Sequence, residues 1–513
     1  MIFKNTFKQI NNSKNLFFII VIIAVAAALF NSPLTVKPLE EPETFRYLGM
    51  LIRKGFVPYV DGFDHKSPFI YFVCAFAGLG GIWGLWVFSL GLTILTCYLL
   101  LKLVVAYKIK YGFLIPIVFI FLVKFQYDIL GRSCDTRDIT AHLLIILTAL
   151  IFLNPLKHFF FKGLLAALIP FTQQTDMLTS GFVMLCYFIY IIINHRSILL
   201  KAFVKTALGV VIVCCFFAIY FLWHGAFNNA LYFIFTFNTS VFIVKGKTVM
   251  QHIISLWELL NSSGLKFAFI FLILFYVTSI IVFKQKLNYF FVFCTLGFLL
   301  LSLVCVAFSG NYWHYYIHHF VPPFTILFAM GLYNLTNSKI KIVPYILYPS
   351  MVIILFFIIV KRAVVLEMQK TFLATYKVEY KNKYPTWALL IAHLKNTDNT
   401  LMIFNNPQSL CVASDFKMKL ASKWVLTHFW STYYNYAKFD SNDSIFKAEY
   451  IAPLEKYKTP YLVKYTRPNE TAWEIAVIRP STLEIYNNYL YQNYTLYKKD
   501  SVQGWEMYLR NTE

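Results

Sequence analysis

Between Asn15 and Arg362 the chain returns repeatedly to long apolar runs such as "NLFFIIVIIAVAAALF" and "KAFVKTALGVVIVCCFFAIYFLW". A helix needs roughly 20 apolar residues to cross the hydrocarbon core, and that ruler finds about eleven candidate spans. They lie near 15–31, 82–106, 111–127, 138–154, 158–173, 177–194, 202–223, 265–284, 288–309, 315–335 and 342–361. With 59% hydrophobic and only 14% charged residues, the composition lies outside that of water-soluble domains. The expectation is a mainly α, polytopic transmembrane helical bundle. A net charge of +22 would point to nucleic acid in a soluble chain. Here the lysines gather in short connections between apolar runs, where anionic lipid and the positive-inside bias explain them, so no nucleic-acid partner is expected. The cysteines form no CxxC pair and no disulfide framework. The first apolar run follows Lys4, Lys8 and Lys14 without a convincing small-residue cleavage site, and reads as a retained anchor.

The connections alternate in chemistry. "AYKIKYG", "NPLKHFFFK", "NHRSILLK", "FKQKLN" and "TNSKIK" are basic and lack acids, whereas "GRSCDTRD", "FTQQTD" and "SGNYWHYY" are acidic, balanced or uncharged. The positive-inside rule puts the first set and the N-terminus in the cytoplasm. The second set then faces outward. An odd number of spans also sends the chain outward after Arg362, where the composition becomes that of an ordinary soluble domain. Residues 1–365 therefore read as the membrane domain and 366–513 as a small extracytoplasmic α/β domain. In the latter, "NTLMIF" and "TPYLVKYT" resemble strands, and "YQNYTLYKKDSVQGWEMYLR" resembles a terminal hairpin around Gly504. Between the first two spans, 32–81 forms a first external loop. Its "FRYLGMLIRKG" has the spacing of an amphipathic helix lying at the membrane interface, and "SPFIYFVCAFAGLGG" is too short before its glycines for a full span.

Three outward loops concentrate acids and bases: 40–68, 131–138 and 310–319. Each has a purely structural alternative. Lys66 can reach the interface along its apolar stem, the tyrosines can form an aromatic belt, and Asp135 and Asp138 can solvate a tight loop. His318 and His319 read as satisfied helix-end histidines rather than ligands. The grouping as a whole is harder to explain that way, because ionisable residues collected at one face of an apolar bundle are costly unless they serve a pathway or a site.

The segments "EPETFRYLGMLIRKGFVPYVDGFDHKSPFIYF", "ILGRSCDTRDITAHLLIILTALIFL" and "FSGNYWHYYIHHFVPPFTIL" resemble bacterial membrane glycosyltransferases of the GT-C class, related to protein O-mannosyltransferases and lipid A aminoarabinose transferases. The resemblance covers most of the membrane part, and the "PY.D..DHK.P" element is its most specific piece. It implies a multi-pass enzyme of the bacterial inner membrane that takes a sugar from a polyprenyl-phosphate carrier. The acceptor would be a cell-envelope glycan, lipid or protein on the extracytoplasmic face. A first-loop acid would act as base or acceptor-orienting group. Relatives place an Asp four residues before the aromatic matched by Phe45, which puts Glu41 in that role, with Glu43 or Glu40 as the alternative. Where relatives show Gly-Asn-x-x-Glu, this chain has Gly131 to Asp135, making Asp135 the nearest equivalent and Asp138 its backup. Lys66 matches the lysine ahead of proline that partners the carrier phosphate, and His314 with Tyr315 matches the "HYY" element. Arg46, Tyr59, Asp61, Asp64, His65 and Arg132 complete the implied substrate-binding set, in which Asp61 and Asp64 order the loop rather than perform chemistry.

The residue types suit that chemistry. An attacking hydroxyl or amine must lose a proton to a carboxylate within hydrogen-bond reach, while the departing phosphate develops charge that Lys66, Arg46 or Arg132 would stabilise. No nucleotide-binding glycine loop occurs; "GLGG" at 78–81 reads as a bend. No cofactor is called for, and assistance by a divalent metal stays open. A flippase or other transporter of lipid-linked saccharide is the competing class, although no internal repeat is visible. A polysaccharide polymerase would differ mainly in its acceptor.

Overall fold

The computed structural model describes residues 13–29, 32–33, 40–124, 134–242, 247–262, 266–282, 289–308, 310, 312, 314–336, 400–404, 418–421, 448, 451–465, 480–500 and 505–511. The chain is mainly helical there, with a small sheet near the C-terminus. The helices are α1 (Ser13–Leu29), α2 (Glu40–Arg53), α3 (Phe69–Ala77), α4 (Gly81–Ala106), α5 (Leu114–Lys124), α6 (Thr136–Leu153), α7 (Phe159–Thr172), α8 (Met177–Asn194) and α9 (Leu199–Trp223). After these come α10 (Phe227–Leu231), a π-helical segment (Tyr232–Phe242), α11 (Val249–Ser262), α12 (Lys266–Val282), α13 (Tyr289–Phe308) and α14 (Val321–Thr336).

Among the described residues, four stretches are long and apolar enough to cross a membrane: Phe69–Ala106, Thr136–Leu153, Gln174–Asn194 and Arg196–Trp223. The first is broken by a 3-10 turn over Gly78–Gly80, and Gly81 has φ 62°, so "GLGG" is a bend. The expected spans at 15–31, 111–127, 158–173, 265–284, 288–309 and 315–335 contain helices, but several are short. The fourteen residues of α7 rise only about 21 Å, less than the ~30 Å hydrocarbon core. The segment expected at 315–335 opens as a 3-10 turn, His314–Phe320, before α14 begins. The candidate at 342–361 lies outside the described residues.

Buried polar groups explain the central place of α6, whose residues from Thr136 to Ala149 are all buried. Its N-cap is Asp135, whose Oδ1 accepts the Arg137 N–H at 2.8 Å, satisfying one of the donors a helix start leaves open. Beside it, α7 and α9 meet backbone to backbone. A Cβ on Gly163 would stand 2.0 Å from the Thr206 carbonyl oxygen, and one on Gly209 2.2 Å from that of Phe160. Such contact between apolar helices needs small residues, because packing rather than hydrophobicity holds helices together in lipid.

The segment expected to lie on the membrane interface is helical but sits elsewhere. Residues 42–51 of α2 are all buried. Gly49 lies against the backbone of Cys74 in α3, and the Tyr47 hydroxyl accepts the Leu420 N–H at 2.7 Å. Amphipathic spacing marks a helix with an apolar stripe, and here protein rather than lipid covers it.

The sheet contains β1 (Thr400–Phe404), β2 (Lys419–Leu420), β3 (Tyr461–Tyr465), β4 (Tyr494–Asp500) and β5 (Trp505–Arg510), in the order β2-β1-β3-β5-β4. β1 runs parallel to β2 and β3, while β5 is antiparallel to β3 and β4. β4 and β5 pair antiparallel where the terminal hairpin is expected, and Gly504 lies outside the described residues. The helices beside the sheet are α15 (Ala452–Lys456) and α16 (Pro480–Asn493). Buried Leu462, Val463, Trp505, Met507, Tyr486 and Leu490 supply the core.

Candidate functional site

The loop from Phe56 to Ser67 is folded by its own polar groups. Tyr59 sits at φ 70°, a left-handed conformation costly for a non-glycine residue, and its N–H donates to the Gly62 carbonyl at 2.7 Å. Its hydroxyl donates to the Lys66 carbonyl at 2.6 Å. Burial, then the nearby Asp64 carboxylate, push the Tyr59 phenol well above its ordinary range, so it serves as an O–H donor. Asp61 accepts the Val57 N–H at 2.9 Å. Asp64 accepts the His65 N–H at 2.7 Å and the Tyr71 hydroxyl at 3.1 Å. Lys66 is buried in the same loop at 6% exposure.

Further bonds hold this loop against the bundle. The His65 carbonyl accepts Gln174 Nε2 at 2.9 Å and Asn238 Nδ2 at 2.7 Å, and Ser67 Oγ donates to the Pro170 carbonyl at 2.8 Å. A second set joins the other two expected loops. Thr136 Oγ1 donates to Gln173 Oε1 at 2.9 Å. Asp176 Oδ1 lies 3.0 Å from His319 Nδ1 and accepts Thr179 Oγ1 at 3.1 Å. The Arg137 guanidinium stands over the Tyr316 ring at 4.9 Å, a cation–π distance. The first loop, the start of α6 and the His314–Phe320 turn therefore meet around Gln173–Asp176.

Just inside this layer is a buried charged cluster. Asp138 accepts Ser89 Oγ at 3.0 Å, with Lys124 Nζ 3.5 Å and His142 Nε2 3.6 Å from its other oxygen. Lys124 Nζ donates to Ser89 Oγ at 2.8 Å. His142 also reaches the Thr96 hydroxyl, at 2.9 Å from Nδ1. Its Nε2 also lies 3.3 Å from the Thr93 hydroxyl. Asp138 is thus held by a lysine and a serine rather than solvating a loop.

The remaining candidates fall as follows. Glu43 is buried and accepts Arg46 Nε at 2.9 Å, so these two side chains form an ion pair one turn apart on α2. Asp135 caps α6 and lies 3.5 Å from Arg137 Nη1. The side chains of Glu40, Glu41, His314 and Tyr315, and all of Arg132, lie outside the described residues. Lys124, His142, Gln174, Asp176 and Asn238 carry no role in the sequence reading. Lys124 and His142 had a usable signal, since ionisable residues in apolar helices are themselves flags. Asp176 had a weaker one, because "FTQQTD" served only to mark sidedness. Asn238, in an uncharged aromatic run, had none.

Below the first loop a groove of about 750 Å³ opens, almost wholly apolar. Ser67, Pro68 and Gln174 stand at one end, and Phe188 and Phe203 line the other. Its α9 wall, from Phe203 to Phe221, extends about 27 Å at 1.5 Å per residue. A headgroup at the loop and a long chain in the groove would be continuous. Among the described residues no group of three or more His, Cys, Asp or Glu side chains is placed to hold a metal ion. No protein-family model matches the chain, and no curated protein matches it either.

Proposed function

We propose that the protein is a glycosyltransferase of the bacterial inner membrane, moving a sugar from a polyprenyl-phosphate carrier to a glycan, lipid or protein acceptor on the extracytoplasmic face. The observation that carries this reading is the continuity of a polar loop cluster with a long apolar groove through Ser67, Pro68 and Gln174. That arrangement suits a substrate with a charged head and a long hydrocarbon tail. In this reading a carboxylate of the first loop, Glu41 or Glu43, or Asp135 at the start of α6, takes the acceptor proton as the anomeric bond forms. Lys66 meets the phosphate that leaves. Because that phosphate is charged before the reaction begins, Lys66 contributes to binding first, whereas the carboxylate contributes to turnover.

The test is transfer of radiolabelled sugar from a polyprenyl-phosphate donor by the purified protein in proteoliposomes. Glu41→Gln should retain donor binding and lose roughly two to four orders of magnitude in turnover, while Lys66→Ala should weaken donor binding. If Glu40, Glu41 and Glu43 can each be neutralised with transfer intact, the first-loop assignment fails and Asp135 is next. One observation favours a carrier of lipid-linked saccharide instead: Lys124, Asp138 and His142 are charged or titratable groups within apolar helices. Movement of intact donor across the vesicle bilayer without cleavage of its sugar–phosphate bond would decide for that alternative.

A further inference from the structure

Helix α11 divides into faces in a way that neither a buried helix nor a solvated one does. At 3.6 residues per turn, His252, Leu256, Leu259 and Leu260 fall on one side, with Leu259 and Leu260 2% exposed. On a second side Val249, Met250, Ile253, Ile254 and Trp257 form an apolar stripe that is 77%, 63%, 55%, 50% and 44% exposed. Gln251, Ser255, Glu258 and Ser262 make up the third, polar side. The helix thus rests on the protein, turns an uncovered apolar stripe one way and a polar face another.

Two neighbouring features, and the stripe's own tilt, point to what covers it. Lys266 Nζ sits over the Trp257 ring at 4.3 Å, pairing two residue types favoured at the boundary between acyl chains and head groups. Past Lys266, α12 continues the uncovered apolar surface through Ile270, Leu274 and Val277, a row 37%, 59% and 41% exposed. Tilting of the apolar stripe away from the polar face is the pattern of a helix lying in the membrane plane.

We propose that α11 is an interfacial helix whose partner is the phospholipid bilayer surface, with the Val249–Trp257 stripe among the upper acyl chains and Gln251 and Glu258 in water. The contact reaches the candidate site. His252 Nδ1 is hydrogen-bonded to the Tyr312 hydroxyl, and Lys247 Nζ donates to the Gly310 carbonyl at 2.7 Å. Both ties hold the strand of chain that enters the His314–Phe320 turn, where His319 pairs with Asp176. Lipid therefore fixes the height of that turn relative to the head groups, whatever reaction the site performs.

The experiment uses the full chain in vesicles of phosphatidylcholine and phosphatidylglycerol, carrying Met250→Cys or Glu258→Cys, with a water-soluble maleimide on both sides and the parent chain as background. Glu258→Cys is labelled and Met250→Cys is not. In parallel, lipids brominated near the head group quench the emission component that Trp257→Phe removes, and aqueous iodide does not. Equal labelling of both cysteines, or quenching of Trp257 by iodide alone, overturns the proposal. So does a disulfide-linked dimer through Met250→Cys, because a second copy would then cover the stripe.

Discussion

Lys124→Met should be among the most damaging single changes in the membrane part, and Asp138→Asn should largely cancel it. The two groups are 5% and 1% exposed and lie 3.5 Å apart. At an effective dielectric constant near 20, two unit charges at that distance attract by about 5 kcal/mol, and removing one partner of a buried pair typically costs about 3–5 kcal/mol through the uncompensated charge left behind. Asp138→Asn alone strands Lys124 in the same way, although Ser89 Oγ still accepts from its ammonium group. Together the changes remove both charges, so the double variant should cost no more than either single one. The resulting coupling energy is about 3 kcal/mol, a factor of roughly a hundred in the unfolding equilibrium. Steric trapping in mixed micelles reads this directly, with Lys201→Met on the exposed side of α9 as the control. Additive single effects, or a Lys124→Met cost equal to that of the control, would refute the claim that the pair is a buried, mutually dependent charge cluster.

Where α7 and α9 touch, Gly209→Ala should cost about 1–3 kcal/mol by overpacking and narrow or distort the groove, whereas Gly181→Ala, with nothing within 4 Å of the added carbon, should not destabilise; equal melting temperatures for the two variants would contradict the contact. Lys419 Nζ donates to Asp61 Oδ1 at 2.7 Å and Tyr457 Oη at 2.8 Å and lies 4.0 Å from the Phe56 ring centroid. Lys419→Met should therefore loosen the sheet from the first loop and speed limited proteolysis of the C-terminal part, an effect that exposed Lys456→Met should lack. The Tyr489 hydroxyl, and after it Arg510, hold the Glu455 carboxyl below the usual carboxylate range. A depressed folded pKa contributes stability that is present above the unfolded value of about 4.3 and lost as pH falls through the folded one. Protection factors of the sheet amides, corrected for the intrinsic exchange rate at each pH, should accordingly fall on acidification in the parent and fall less steeply in Glu455→Gln.

Periodicity and charge made the helices, the "GLGG" bend and the strands readable, because each is written locally in the chain. What covers a helix is not local. The stripe of α2 looks the same whether lipid or protein meets it, and only Gly49 against Cys74 and Tyr47 against Leu420 decide. The loops rich in charge were legible as a group, since acids and bases rarely gather at the end of an apolar bundle without cause. Their partners were less so. Lys124 lies in an apolar run, Asp176 closes a nearly neutral loop, and the Asp176–His319 pair spans 143 residues of sequence. No spacing rule connects groups that far apart, and the sidedness argument that picked out the loops carries no information about which side chains meet.

Among the described residues β2 and β4 are the outer strands of the sheet, and an outer strand with free backbone groups invites a stray chain to add itself. Neither strand makes that easy. β2 has only two residues, and the Leu420 N–H is already taken by the Tyr47 hydroxyl. β4 is interrupted by an irregularity between Leu496 and Lys498, with Lys498 and Lys499 following, so a regular ladder of partner bonds would meet a kink and two like charges. These features protect the sheet against aggregating through those edges, and shortening Tyr47 to Phe would reopen one of them.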